Sequence, residues 1–186
     1  MTAPASSPLE PGDILAFWRE AGPEKWYSKD AAFDAAIRDR FLSTYEAAAA
    51  GQRAYWEATA DGALALVVVL DQFPRNMFRD EARTFAADPA ARAVADRALL
   101  RGFDRTVAPA LRTFFYLPFE HSENLADQER CVALNRAAED ADGVKWAELH
   151  ADIIRRFGRF PHRNKALGRA TTPEEQAFLD AGGFAG

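Results

Sequence analysis

Apolar residues return along this chain at three- and four-residue intervals, and strict two-residue alternation is nearly absent, which predicts helices throughout. Asp13 is placed to cap a short first helix through Glu20, with Ile14, Phe17 and Trp18 along one side and Gly22 and Pro23 closing it. Across residues 30 to 50, Phe33, Ile37, Phe41 and Tyr45 recur at every fourth position among alanines, and Gly51 offers a left-handed stop. Residues 61 to 72 are apolar on nearly every side. Val67, Val68 and Val69 would also suit a strand, but the helical surroundings favour a buried helix. Asp88 followed by Pro89 reads as an N-cap with proline at the first helical position, opening a segment that carries Val94, Leu99 and Leu100. Further helices are expected over residues 107 to 116, 126 to 140 and 144 to 157, the last with Trp146, Leu149, Ile153 and Ile154 at core spacing. Thr172 and Glu175 have the spacing of a capping box for a final helix before Gly182.

This pattern predicts an all-α fold of seven to nine helices, joined by short loops and stacked as antiparallel pairs in an irregular bundle or solenoid. Residues 13 to 186 form one expected domain, and residues 1 to 12, rich in Ala, Ser and Pro, an expected flexible tail without the basic and apolar regions of a secretory signal. The longest apolar run, residues 63 to 70, is too short to cross a bilayer, so no membrane is expected. The lone cysteine, Cys131, has no partner for an internal disulfide or a cysteine-based zinc site. Together these features suggest a soluble cytoplasmic protein. A net charge of -5 argues against nucleic acid as a partner.

Three segments break the helical rhythm. The first, LDQFPRN, places Asp71, Arg75 and Asn76 around Phe73-Pro74 at the expected end of an apolar helix. The second, FFYLPFEHSE, delivers Glu120, His121, Ser122 and Glu123 in succession. The third, RRFGRFPHRNKALGR, contains Arg156, Arg159, His162, Arg163, Asn164 and Arg169. Its Phe-Pro-His-Arg-Asn echoes the Phe-Pro-Arg-Asn of the first, as though two helix ends shared one plan. In this order, with TTPEEQAFL behind them, the strings resemble the bacterial domain-of-unknown-function family 924 from about Ile14 to Phe184. The resemblance implies an all-helical, tetratricopeptide-like fold and carries over no catalytic or binding residues.

Function must then be argued from side chains. Arg155, Arg156, Arg159, Arg163, Lys165 and Arg169 crowd a stretch with no acid between Asp152 and Glu174. Guanidinium forks bind carboxylates and phosphates bidentately, so the segment suits an anionic metabolite or a peptide carboxylate. The plainer alternative is that these arginines pair with Asp71, Glu120 and Glu123 and tie helix ends together. Glu120, His121 and Asp71 are also capable acid-base groups, which leaves a small hydrolase-like enzyme in the same cleft as the competing function. A structural role for His121, a capping role for His162 and a core position for Cys131 are the plain readings of those residues. No Walker loop, glycine-rich dinucleotide loop, zincin motif or nucleophile elbow occurs, so neither a cofactor nor a metal is called for, and a binding or scaffold module is the leading reading. Partner protein and oligomeric state are not legible.

Overall fold

The structure, a computed structural model, describes residues 9–184, and every regular element among them is helical. In chain order these are α1 (Pro11–Ala21), α2 (Pro23–Trp26), α3 (Ala31–Ala49), α4 (Ala60–Val67), a π-helical turn over Val68–Gln72, α5 (Phe73–Met77) and α6 (Asp88–Leu100). They are followed by α7 (Pro109–Arg112), α8 (Leu117–Glu120), α9 (Leu125–Ala137), α10 (Ala141–Phe157) and α11 (Pro173–Asp180), with short 3-10 turns between several of them.

The predicted starts hold where a short polar side chain can reach back to free N–H groups: Asp30 accepts from the backbone of Ala32 and Phe33 at α3, and Thr172 and Glu175 form the capping box of α11. Three starts differ. Helix α10 begins at Ala141 rather than at residue 144, because Asp140, expected to end the preceding helix, caps it by accepting from Gly143. Helix α1 begins at Pro11, because Glu10 rather than Asp13 stands at the N-cap and Asp13 answers it as the third helical residue. The expected tail is thereby shortened at its inner end, and its residues 1–8 lie outside those described. Asp88 is the first residue of α6 instead of its cap, and its carboxylate is occupied by Arg75.

The segment α4 to α5 is the axis of the fold. From Ala63 to Leu70 no residue is more than 2% exposed, so this helix is covered on every side, as its unbroken apolar run demands. Helices α1 and α6 pack on α4, α3 packs along α5 and the π turn, and α9 and α10 form a hairpin whose neighbour is α8. Gly62 lets the chain enter this crowded axis, since a Cβ there would run into the Trp56 carbonyl. Trp18, Phe41, Phe73 and Phe114 fill the space between α1, α3 and the axis with edge-on and tilted ring contacts.

Two expectations about packing fail. Trp146 and Leu149 occupy core spacing on α10, yet they are 50% and 36% exposed. The buried stripe of that helix runs instead through Ala147, His150, Ala151 and Ile154. The Phe73-Pro74 pair does not end a helix either. Proline lacks an N–H and clashes with the carbonyl four residues back, which normally stops a helix. Here the turn is widened: the Phe73 N–H reaches the Val68 carbonyl, five residues back, and the helix continues to Met77. Phe160-Pro161 is a different structure, an extended residue opening a 3-10 turn after Gly158, a left-handed glycine, has closed α10. The two Phe-Pro strings are therefore not one plan repeated.

A substitution on the axis should be costly and one on the rim cheap. Leu64→Ala is expected to lower unfolding free energy by about 2–5 kcal/mol and Leu100→Ala, which is 78% exposed, by less than about 0.5 kcal/mol, both read by urea unfolding.

Candidate functional site

The π turn delivers a charge into the core. Asp71 has no exposure, and its carboxylate accepts from the Nδ1–H of His121 at 2.9 and 3.0 Å and from Gln72 at 2.6 Å, while Arg75 approaches to 3.4 Å. Because Pro74 has no N–H, the carbonyls of this turn are short of donors, and Arg75 also donates to the Asp71 carbonyl at 2.5 Å. Burial would raise the Asp71 pKa, but Arg75, His121 and Gln72 together hold it well below the usual carboxylate range. Arg75 then forks onto Asp88 at 2.9 and 3.1 Å, joining the turn to the start of α6.

Beside this ion pair stands a carboxyl group of opposite behaviour. Glu120 is 6% exposed and has no arginine or lysine partner among the described residues; burial, with the Asp71 charge adding to it, pushes its pKa up to about 8. Its neighbours are the Cys131 thiol at 3.9 Å and His150 Nδ1 at 3.5 Å. His150 donates Nδ1–H to the Trp146 carbonyl at 2.8 Å, and burial lowers its pKa to about 4, with His121, Arg163 and Arg75 adding to the effect. His121 is also held below the ordinary imidazole value, by burial and by Arg75 against the pull of Asp71. His162 falls to about 3 through burial and the adjacent Arg163, and its Nδ1 is buried without a hydrogen-bond partner among the described residues. His150 and His162 both feel His121 and Arg163, and burial disfavours the charged form of all three histidines of the chain.

Arg163 completes the cluster. Its guanidinium lies between the rings of Phe85 and Phe160, 4.5 Å from each centroid, and the residue is 6% exposed. Its nearest carboxylate, Asp88, is 3.7 Å away and already engaged by Arg75, and its Nε has no partner among the described residues. Burial, helped by Arg75, brings its pKa down to about 10.

The other arginines of the third segment are differently placed. Arg155 pairs with Asp152, Arg156 with Glu174, Arg159 with Glu175 and Arg169 with Glu123, all within 3.1 Å. Arg169 also donates to Asn164, and Glu123 accepts from the Phe160 N–H, so this group fixes the turn that presents Arg163. Arg159 grips Glu175 through two hydrogen bonds and, with Thr172, holds its pKa down to about 2. Of the sequence-level candidates, Asp71, Arg75, Glu120, His121, His162 and Arg163 come together. Glu123, Asn164 and Arg169 buttress them from the side, Arg159 ties α11, Arg156 is spent at the surface, and Asn76 turns away to Asp34. Glu120 takes no arginine, contrary to the pairing expected of it. Reading the sequence missed His150, Asp88 and Glu175. The first had a signal: it lies on the same face of α10 as Ala147, Ala151 and Ile154, and an imidazole on an apolar stripe needs a polar partner in the core.

Among the described residues, no group of three or more His, Cys, Asp or Glu side chains is arranged to hold a metal ion, and no helix is long and apolar enough to cross a membrane. Two shallow grooves lie elsewhere. One of about 280 Å³ runs between Pro109, Tyr116 and Asp140, and one of about 330 Å³ between Asp34, Arg38 and Arg79.

An all-α bundle with a buried acid–imidazole–guanidinium cluster is thus the class that fold and site define. The chain belongs to the family described as bacterial protein of unknown function (DUF924), whose model matches residues 14–183. It is similar to a solved structure, the protein of unknown function Atu0120 from Agrobacterium tumefaciens, at 50% identity and a TM-score of 0.89, covering 92% of this chain and 97% of that one. The chain matches no curated protein.

The cluster makes stability depend on pH in two senses. Glu120, raised from 4.5 to about 8 on folding, contributes stability that is full below pH 4.5 and lost as pH rises through 8. His150 and His162, lowered from 6.5, contribute stability that is present above pH 6.5 and lost as pH falls toward 4 and 3. Glu120→Gln should therefore remove the alkaline loss, on the order of a few kcal/mol, and leave the acid limb in place, as followed by urea unfolding from pH 4 to 9. An unchanged alkaline limb would mean that Glu120 is ionised in the folded protein.

Proposed function

We propose that this protein is a helical binding module for a small anion, and that the anion is received by Arg163 rather than by the arginine-rich segment as a whole. One observation carries the reading: among the described residues the nearest carboxylate to the buried Arg163 is Asp88 at 3.7 Å, already engaged by Arg75, while Arg155, Arg156, Arg159 and Arg169 each hold a carboxylate within 3.1 Å. Removing a guanidinium from water without pairing it costs stability, and a bound carboxylate restores the missing partner. The edge-fixing rings of Phe85 and Phe160 orient the fork for such a ligand.

A second reading, a small acid-base enzyme, is favoured by a separate observation. His121 gives its Nδ1–H to Asp71, so its Nε2 carries the lone pair of a general base, and Glu120 next to it still holds a proton at neutral pH. The α9–α10 hairpin supports the tetratricopeptide-like description, and the single buried thiol of Cys131 favours a reducing, cytoplasmic setting.

The binding reading makes a paired prediction. Arg163→Met keeps most of the side-chain volume and removes an unsatisfied charge, so the ligand-free variant should melt above the wild type. Titrated with acetate, propionate and inorganic phosphate, the wild type should show a saturable rise in Tm for at least one of the three, and Arg163→Met none. A wild type that responds to none of them, or a variant that responds equally, overturns the proposal. For the enzyme reading, any hydrolytic turnover found should vanish in His121→Ala with the fold retained by circular dichroism, and survival of turnover removes His121 from that role.

A further inference from the structure

We infer that the groove between α3 and the end of α5 is a second binding site, separate from the Arg163 cluster. Its ligand is an acylated amino-acid carboxylate, either a free N-acyl amino acid or the C-terminal residue of a peptide. The groove is built from chemistry that the core cluster leaves unused. Asp71 and Arg75 of the first motif engage the core and α6, whereas Asn76 of that motif and Arg79 just beyond it engage Asp34 on α3. The space that these three residues help to line is about 330 Å³. That is the small end of the range for ligand clefts, roughly 300–1,000 Å³, and suits one or two residues of a chain rather than a folded surface.

Asn76 carries the argument. It is 7% exposed, and its Nδ2 donates to Asp34 Oδ1 at 2.8 Å. An ionised carboxylate only accepts, so the amide has one orientation, with nitrogen toward Asp34 and Oδ1 turned from it. Asn76 lines the groove, and among the described residues no donor reaches that oxygen. An N–H entering the groove supplies the missing partner.

The donors stand beside it. Arg79 forks onto Asp34 through Nε and Nη2, at 2.5 and 2.9 Å, and Nη2 also donates to the Ser28 carbonyl at 3.1 Å. Its Nη1 has no acceptor among the described residues. Arg38 lies one turn along α3 from Asp34, with its guanidinium over the Phe78 ring at 5.6 Å. It pairs with no acid among the described residues, because Asp34, the acid four positions before it, is taken by Arg79 and Asn76. Two guanidinium groups with donors to spare thus border the same groove as one open amide oxygen. An acylated amino acid carries a carboxylate and an N–H on a single carbon, which serves both needs at once. Phosphate or a simple carboxylate meets the arginines and leaves Asn76 unserved. Ala31 and Ala35 add little bulk to the wall, which leaves room for the acyl group and a small side chain. Asp39, also at the groove, repels a second acidic group, so the occupant carries one negative charge.

Isothermal titration of the full chain with N-acetyl-L-alanine and with acetyl-Ala-Ala-Ala tests the assignment. The controls are their C-terminal amides, which lack the charge, and the esters in which L-lactate replaces the terminal alanine, which lack the N–H. The tighter of the two carboxylates should bind roughly tenfold or more above both of its controls, and which one it is tells a free metabolite from a chain end. Ala35→Leu lies on an exposed part of α3 and keeps a good helix former, so it should leave Tm unchanged while it fills the groove and lowers affinity at least tenfold. Arg38→Gln should bring the carboxylate down to the affinity of its amide. An ester or amide that binds as well as its parent overturns the inference, as does binding that survives Ala35→Leu or failure of both carboxylates to bind. Loss of the inference in any of these ways leaves the Arg163 site standing, since α3 takes no part in it.

Discussion

Placing one carboxylate, Asp71, at zero exposure inside the most apolar helix of the chain is the constraint on which the rest of the structure turns. An ionised group there survives only if its partners come from elsewhere in the fold, and each partner fixes an element. Arg75 fixes α5 against α6 through Asp88, and His121 fixes the end of α8. The π turn makes this possible. By widening the helix around Pro74 it frees carbonyl groups that an α-helix would occupy, and Arg75 takes up one of them while it holds the Asp71 side chain. Burial, with the Asp71 carboxylate fixed nearby, favours the protonated form of Glu120, and the same carboxylate decides the tautomer of His121.

Charge is distributed over the molecule on two different terms. At the periphery the ion pairs are direct and complete, as in Arg159 with Glu175 or Arg169 with Glu123, and they serve to dock α11 and the turn after α10. In the core the pairing is deliberately unequal. Arg75 has two acids, Arg163 shares a remainder of one of them, and Glu120 has no arginine or lysine among the described residues. Such incompleteness lowers the stability of the free protein, and a fold maximising stability alone would fill both positions with hydrocarbon. Strained electrostatics of this kind collect where a protein meets a ligand or substrate.

Most of the helical frame was legible in the sequence, because caps and four-residue spacing are local signals: α3 and α11 start where Asp30 and Thr172 can reach back to free N–H groups. What failed were readings that depend on partners distant in sequence. Pro74 reads locally as a stop, and only the packed neighbours that stabilise a π turn carry the helix past it. Trp146 and Leu149 share their period with a core stripe, but periodicity does not say which of two adjacent stripes faces inward, and α9 selects the one with Ala147 and His150. The arginine-rich segment looked like one cationic field because its acids, Glu123, Glu174 and Glu175, lie outside it along the chain. The site was legible in its chemistry, since Asp71, Glu120, His121, His162 and Arg163 were all singled out, and illegible in its distribution of pairs. That distribution separates Arg163 from arginines that look identical in sequence.

The separation has a structural cause. Arg156, Arg159 and Arg169 sit at positions where a helix or turn of the last forty or so residues, or Glu123, can place an acid directly opposite. Arg163 follows Pro161 in a 3-10 turn whose entry is set by Phe160, a residue with no exposure, so its side chain is directed inward against Phe85. There the nearest acid among the described residues, Asp88, stands at the first turn of α6, where Arg75 takes both of its oxygens. Arg163 is thus left open by the geometry that ties α5 to α6, and the alternation of charge from Arg163 through Asp88, Arg75 and Asp71 to His121 follows from it.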